Sequence, residues 1–267
     1  MEFVSRLLNA SRRNRSLLCV GLDPDPSKMP VRDVFEFNKA IIDATSDLVC
    51  CYKPNLAFYE AEGARGWDIL KQTVECIPKG IPVIADAKRG DIGNTAKAYA
   101  RAIFDELSFD AVTVNPYLGF DAIESFLNYK DKGVFILCRT SNPGAMDFQN
   151  FADASGRHLY ETVAQKASEW NVHGNIGLVV GATYPEELRL IRQNHPDMPI
   201  LIPGVGAQGG DLATVLRYGV NSEGEKAIIN SSRQIIYASR GKDFARAARH
   251  AALELRDTIN HLLSNPT

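Results

Sequence analysis

Gly21-Leu22-Asp23-Pro24-Asp25-Pro26 follows the first run of strand character, residues 17–22, and its reading chooses between two ways of winding an α/β chain. A doubly wound sheet that binds a dinucleotide carries a glycine-rich turn there, so that a helix N-terminus can meet the pyrophosphate. Two prolines and two aspartates fill this turn and leave no room for that anion. Further strand candidates lie at 48–53, 82–86, 111–115, 133–139, 176–180, 200–203 and 227–230, as short β-branched or apolar runs. Helical periodicity fills the gaps at 33–46, 94–106, 120–129, 156–170, 185–194 and 211–218. A last helix at 243–263 carries Ala247, Ala251, Leu255, Ile259 and Leu262 on one face. Alternation without a linker or composition break predicts one (β/α)8 barrel, a TIM barrel, as a single domain over 1–267.

Composition agrees with one large core. The 267 residues are 45% apolar and 23% charged, which excludes disordered and low-complexity classes. A folded chain of this mass exposes roughly 11,500 Å² and its unfolded form about 43,000 Å². Thirty Lys+Arg against 32 Asp+Glu give a net charge of −2, without the basic excess of a nucleic-acid binder. The short cluster Arg12, Arg13 and Arg15 reads as a solvated helix end. Five cysteines without a C-x-x-C pair indicate neither a disulfide framework nor a zinc site. His158, His173, His195, His250 and His261 have no ligand-like spacing and are expected in loops or at the surface. The absence of a signal-peptide pattern and of a run of ~20 apolar residues predicts a cytoplasmic protein with no membrane partner.

In such a barrel the C-terminal ends of the strands converge on one mouth. There the sequence offers Asp23, Lys53, Asp86, Lys88, Asn115, residues 139–141 and residues 231–233. Asp86 and Lys88 stand two apart on an extended chain and are expected to project to one side. Gly90 permits a turn, Asp91 opens the next helix, and Thr95 follows four residues later on the same face. An ordinary reading makes Asp91 a helix cap and Asp86–Lys88 a solvated ion pair. Lys53 at a neighbouring strand end favours a site, because such a charge network costs stability unless it is used. After the seventh strand comes Pro203-Gly-Val-Gly-Ala-Gln-Gly-Gly-Asp211. Its glycines Gly204, Gly206 and Gly209 let backbone N–H groups approach an anion. Arg233, after the eighth strand, can add a bidentate guanidinium to the same phosphate.

Together these motifs resemble the orotidine 5′-phosphate decarboxylase family. The likeness rests on Asp86-x-Lys88-x-x-Asp91-Ile92-x-x-Thr95, Gly21-Leu-Asp23, Lys53-Pro-Asn, Thr140-Ser141-Asn-Pro-Gly and the loop after Pro203. The phrase Cys51-Tyr-Lys-Pro-Asn-Leu-Ala-Phe-Tyr-Glu resembles the longer subgroup found in many bacteria. The resemblance runs from about residue 15 to 240. It departs at Asn230-Ser-Ser-Arg-Gln-Ile-Ile-Tyr, where shorter members have Gly-Arg-x-Ile.

The resemblance implies conversion of orotidine 5′-monophosphate to uridine 5′-monophosphate and carbon dioxide, the last step of pyrimidine synthesis, with no cofactor and no metal. The carbanion left on the ring lies outside the π system, so a fixed cation beside it is the main help available. Lys88 fits as that cation and as the proton donor. Asp86 is implied near the departing carboxylate, and Asp91 with Lys53 completes the alternating array that keeps Lys88 charged and aimed. Asp23 and Lys53 are implied at the ribose, Ser141 at the pyrimidine edge, and Gln208 with Gly204, Gly206 and Gly209 in a loop that closes on the phosphate. Family membership further implies a homodimer in which Asp91, Ile92 and Thr95 reach the partner's site. Two rivals stand beside this. Hexulose-phosphate synthase resembles the Asp-x-Lys-x-x-Asp pattern but uses magnesium and typically has an acidic residue where Lys53 stands. A catalytically silent barrel that binds phosphorylated ligands would have little reason to keep all four charges.

Overall fold

A computed structural model describes residues 2–205 and 211–265. Its strands are β1 (Leu18–Leu22), β2 (Cys51–Pro54), β3 (Ile84–Arg89), β4 (Ala111–Val114), β5 (Gly133–Arg139), β6 (Ile176–Val180), β7 (Ile200–Pro203) and β8 (Ala227–Ser231). All pair in parallel, in the order β2-β1-β8-β7-β6-β5-β4-β3. The outer strands of that order meet through the parallel bridges Tyr52↔Val83 and Asn55↔Asp86, with the Tyr52 N–H donating to Pro82 O at 3.0 Å. Eight strands thus make a nearly closed barrel, the architecture that the strand–helix alternation predicts.

The helices are α1 (Phe3–Asn14), α2 (Val34–Thr45), α3 (Leu56–Glu60), α4 (Ala64–Cys76), α5 (Gly93–Arg101), α6 (Asp121–Leu127), α7 (Leu159–Trp170), α8 (Pro185–Asn194), α9 (Leu212–Gly219), α10 (Arg233–Ile236) and α11 (Phe244–Ser264). The periodicity at 94–106 resolves into α5 and a wider π turn over Ala102–Glu106, where the Leu107 N–H reaches Ala102 O at 3.1 Å. Helices α3 and α4, after β2, are additions to the elements read from the sequence. The arginine cluster does end a helix: Arg12 and Arg13 lie in the last turn of α1, and Arg15 caps it in the left-handed region. Arg12 is paired there, gripping Glu225 through two contacts of 2.7 and 2.8 Å.

Apolar packing forms two shells. The larger lies between strands and helices. The smaller fills the barrel interior and joins Phe3 and Leu7 of α1 to Cys19, Cys51, Ile84, Ala111, Phe135, Val179, Leu201 and Ile228. Burial on both faces is why the strands read as continuous apolar runs rather than as alternating ones. Helix α1 therefore closes one end of the barrel. His195, expected in a loop or at the surface, stands in the loop just after α8 and is buried there, 8% exposed. Burial and the neighbouring Arg192 hold its ring below the usual imidazole value.

Candidate active site

At the end of the barrel opposite α1 the inward positions become polar. The register pairs Gly21 with Lys53 and bridges Asn55 to Asp86, so β1, β2 and β3 deliver their terminal side chains at one level. Gly21 is required by close approach, since a Cβ there would stand 1.8 Å from Ser232 Oγ. Lys53 is 4% exposed and donates to Asp86 Oδ2 at 2.9 Å. Lys88 donates to the other oxygen, Oδ1, at 2.6 Å, with its side chain half exposed. One carboxylate is thus held between two ammonium groups.

The electrostatics follow from that geometry. Burial would raise the Asp86 carboxyl, but the charges and hydrogen bonds of Lys53 and Lys88 hold it well below the usual carboxylate range. Burial likewise works against charge on Lys53, yet Asp86 and Asp23 more than offset it and hold the ammonium above its ordinary value. Asp23 Oδ1 is buried without a hydrogen-bond partner. The backbone of Asp23 is fixed from the side by Tyr237, whose hydroxyl donates to Asp23 O at 2.8 Å. Burial pushes that hydroxyl up to about 12, so it remains a donor at neutral pH.

Asp23, Lys53, Asn55, Asp86, Gly204 and Arg233 line a cavity of about 180 Å³ at this mouth. A larger groove of about 540 Å³ between α9 and α11 lies away from the strand ends. Arg233 is exposed and, among the described residues, has no carboxylate partner. The Lys53–Asp86 pair and the Arg233 guanidinium thus line one cavity. Gly204 adopts φ +95°, a conformation that favours glycine. Gly206, Gln208 and Gly209 lie outside the described residues.

Other expected residues stand apart from this cluster. Asp91 accepts from the neighbouring Ile92 N–H at 2.8 Å and makes no ion pair within its own chain among the described residues. It is not the cap of α5 either, because Ile92 occupies that position. Ile92 is 56% exposed, and Thr95 is exposed beside it. Ser141 is the second residue of the loop after β5 and packs tightly on Gly181, where a Cβ would stand 2.8 Å from the Ser141 nitrogen. Gly90 serves close approach, since a Cβ would stand 2.6 Å from Asn115 O.

Three further residues were given no role from the sequence, although Arg139 stands among its strand ends. Asn55 stands two beyond Lys53 on the same strand face, within an already quoted motif. Thr113 is a polar residue, 1% exposed, inside the apolar run Ala111-Val-Thr-Val. The guanidinium of Arg139 is fully buried at the end of β5, where it donates to Glu187 at 2.5 Å and Gln149 at 3.3 Å and stacks on Tyr184 at 3.7 Å. It thereby pins the loop that carries Ser141. Among the described residues no group of three or more His, Cys, Asp or Glu side chains is arranged to hold a metal ion. Chemically, an ammonium in the position of Lys88 can stabilise negative charge and donate a proton, and a guanidinium in the position of Arg233 can bind an anion.

Comparison with known proteins places the chain in one family. Residues 16–248 match the sequence profile of the orotidine 5′-phosphate decarboxylase / HUMPS family. An orotidine 5′-phosphate decarboxylase of Dehalococcoides mccartyi is 58% identical over 265 residues, covering 98% of each chain. One from a Roseiflexus species is 54% identical over 270 residues, 98% of this chain and 99% of its own. The solved OMP decarboxylase of Leishmania donovani superposes with a TM-score of 0.89 at 43% identity, over 99% of this chain and all of that one. The profile spans most of the chain and the relatives nearly all of it, so the chain belongs to the orotidine 5′-phosphate decarboxylase / HUMPS family.

Proposed function

We propose that this chain decarboxylates orotidine 5′-monophosphate to uridine 5′-monophosphate in pyrimidine biosynthesis, with Lys88 as fixed cation and proton donor. The observation that carries the reading is Asp86 held between Lys53 and Lys88 at a cavity that Arg233, without a carboxylate partner among the described residues, also lines. Loss of carbon dioxide leaves an electron pair on a ring carbon. The Lys88 ammonium stabilises that pair and then transfers a proton to it, which completes the product. Asp86 keeps Lys88 aimed and sets negative charge beside the substrate carboxylate. The unpartnered Asp23 Oδ1 and the Lys53 ammonium suit ribose hydroxyls, and Ser141 suits the pyrimidine edge. Arg233 takes the phosphate with the loop from Gly204 through Gly206, Gln208 and Gly209. Binding energy from that remote group assembles the charged end.

The reading extends to a homodimer. Asp91 has no partner cation in its own chain among the described residues, its neighbour Ile92 is 56% exposed, and Tyr117 and Leu118 are 79% and 52% exposed. A second copy seated there buries this apolar surface and brings Asp91, Ile92 and Thr95 to the neighbouring mouth. Residues 1–267 act as one barrel domain, in the cytoplasm. No described helix is long and apolar enough to cross a membrane. The family also includes hexulose-phosphate synthases, and Lys53 argues against that activity because its ammonium occupies the site where their acidic residue is expected. The test is the absorbance change of orotidine 5′-monophosphate on mixing with chelator-treated protein. A fall in absorbance supports the decarboxylase. No fall under any condition overturns it, and activity that depends on added magnesium favours the aldolase.

A further inference from the structure

The ladder between β3 and β4 is interrupted at the site. Ala85 pairs with Val112 and Arg89 with Val114, so Asp86, Ala87 and Lys88 all stand opposite Thr113 alone. Such a bulge leaves main-chain donors without their ladder acceptors. Within it Lys88 adopts φ +47°, a left-handed conformation rare for a residue with a Cβ. The ladder resumes beyond, where the Asn115 N–H donates to Arg89 O at 2.7 Å. Thr113 Oγ1 fills the gap by accepting from the Ala87 and Lys88 N–H groups, both at 3.0 Å. The same hydroxyl donates to Asp86 Oδ1 at 3.2 Å, the oxygen that holds Lys88 Nζ. Thr113 is buried, so water cannot readily take over these contacts.

We propose that Thr113 is a positioning residue for decarboxylation: its hydroxyl ties the left-handed backbone of Lys88 to the carboxylate that aims its ammonium. This rests on the decarboxylase reading for its kinetic consequence, but not for its structural one. A bulge held by backbone pairing alone would leave Lys88 free to relax toward ordinary strand geometry, which moves Nζ away from Asp86. An error of about 1 Å at a reacting group can cost on the order of a hundredfold.

Thr113→Val keeps the β-branch and the volume and removes all three hydrogen bonds. Its kcat is expected to fall at least about tenfold, with KM and the Kd for uridine 5′-monophosphate within about threefold of wild type. Amide hydrogen exchange at Ala87 and Lys88 should speed up at least about tenfold. Thr113→Ser, which restores the hydroxyl, should return both kcat and exchange to within about threefold of wild type. Unchanged exchange in Thr113→Val, unchanged kcat, or failure of Thr113→Ser to recover either overturns the proposal. Should Thr113→Val not fold, Thr113→Ala is read by the same criteria. If neither folds, Thr113 is a folding element and the positioning role is wrong. If wild-type protein does not decarboxylate the nucleotide, the functional reading fails, while the exchange data still decide whether Thr113 holds the bulge.

Discussion

On β2, a single residue separates a thiol from an ammonium, both buried and both facing the barrel axis. Burial pushes the Cys51 thiol up and keeps it neutral among Phe3, Ile84 and Phe135. Lys53 is as deeply buried, yet stays charged because Asp86 and Asp23 face it. The same step takes Ile84 to Asp86 on β3 and Ala111 to Thr113 on β4. The closed end stabilises the fold by removing apolar surface from water, about 1.5–3 kcal/mol for a side chain such as Phe3. At the charged end burial works against the ionised groups, and the ion pairs more than offset that cost for Asp86 and Lys53. A barrel divided this way should separate its properties: substitutions at one end change stability, and substitutions at the other change turnover.

The largest effect that sharpens this contrast is expected at the mouth. Lys88→Ala should lower kcat by ~10²–10³ or more while the circular dichroism spectrum stays native, because it removes both cation and proton donor. A native variant that retains more than about a tenth of wild-type kcat would break the contrast and the assignment together. At the closed end, Phe3 is 1% exposed and meets Phe135 edge to face at 5.7 Å. Phe3→Ala should cost ~3–5 kcal/mol of unfolding free energy by urea titration. Its kcat/KM per folded molecule should stay within about twofold of wild type, since the apolar layer touches no reacting group.

Arg233→Ala should weaken nucleotide binding about ten- to a hundredfold, the roughly 1.5–3 kcal/mol of a charge-assisted contact. Nucleoside without phosphate should bind almost as before, and equal losses for both would put Arg233 outside the phosphate site. A smaller effect tests the subunit arrangement. Lys88→Ala and Asp91→Ala proteins, dissociated and reassembled together, should recover about a quarter of wild-type activity. Random pairing gives about half heterodimers, each with one intact site of two. Verified heterodimers without activity would confine Asp91 to its own barrel.

The smallest effect concerns pH. Asp86 is depressed in the folded state, so its stabilisation is present above the ordinary carboxylate value of about 3.9 and is lost as pH falls through the folded value. Lys53 is raised, so its contribution is present below about 10.4 and is lost as pH rises through its folded value. Neither group should tilt the stability curve between about pH 5 and 9. Urea midpoints for wild type and Asp86→Asn should therefore run parallel across that range and converge only in stronger acid. A divergence near neutrality would mean that the Lys53–Asp86–Lys88 chain titrates differently from its geometry.

Strands β5, β6 and β7 have the bounds that their apolar runs predict, because a strand buried on both faces has little choice of residue. The strand ends were legible for the same reason: a charge that ends such a run must lie at a mouth. By itself the sequence determined the alternation of strands and helices, the turn at Pro24 that excludes a dinucleotide loop, and the gathering of Asp23, Lys53, Asp86, Lys88 and Arg233 at one rim. Periodicity is local, and these features need only local information. Tertiary structure alone decided that three residues of β3 face one of β4, that Lys88 turns left-handed, and that Thr113 rather than a strand neighbour accepts its N–H. It also decided that Asp91 stands outside its own chain's charge cluster and that α1 seals the opposite end. Register and closure depend on partners far away in sequence, and one residue of slip in a ladder changes which side chains meet without changing any local pattern.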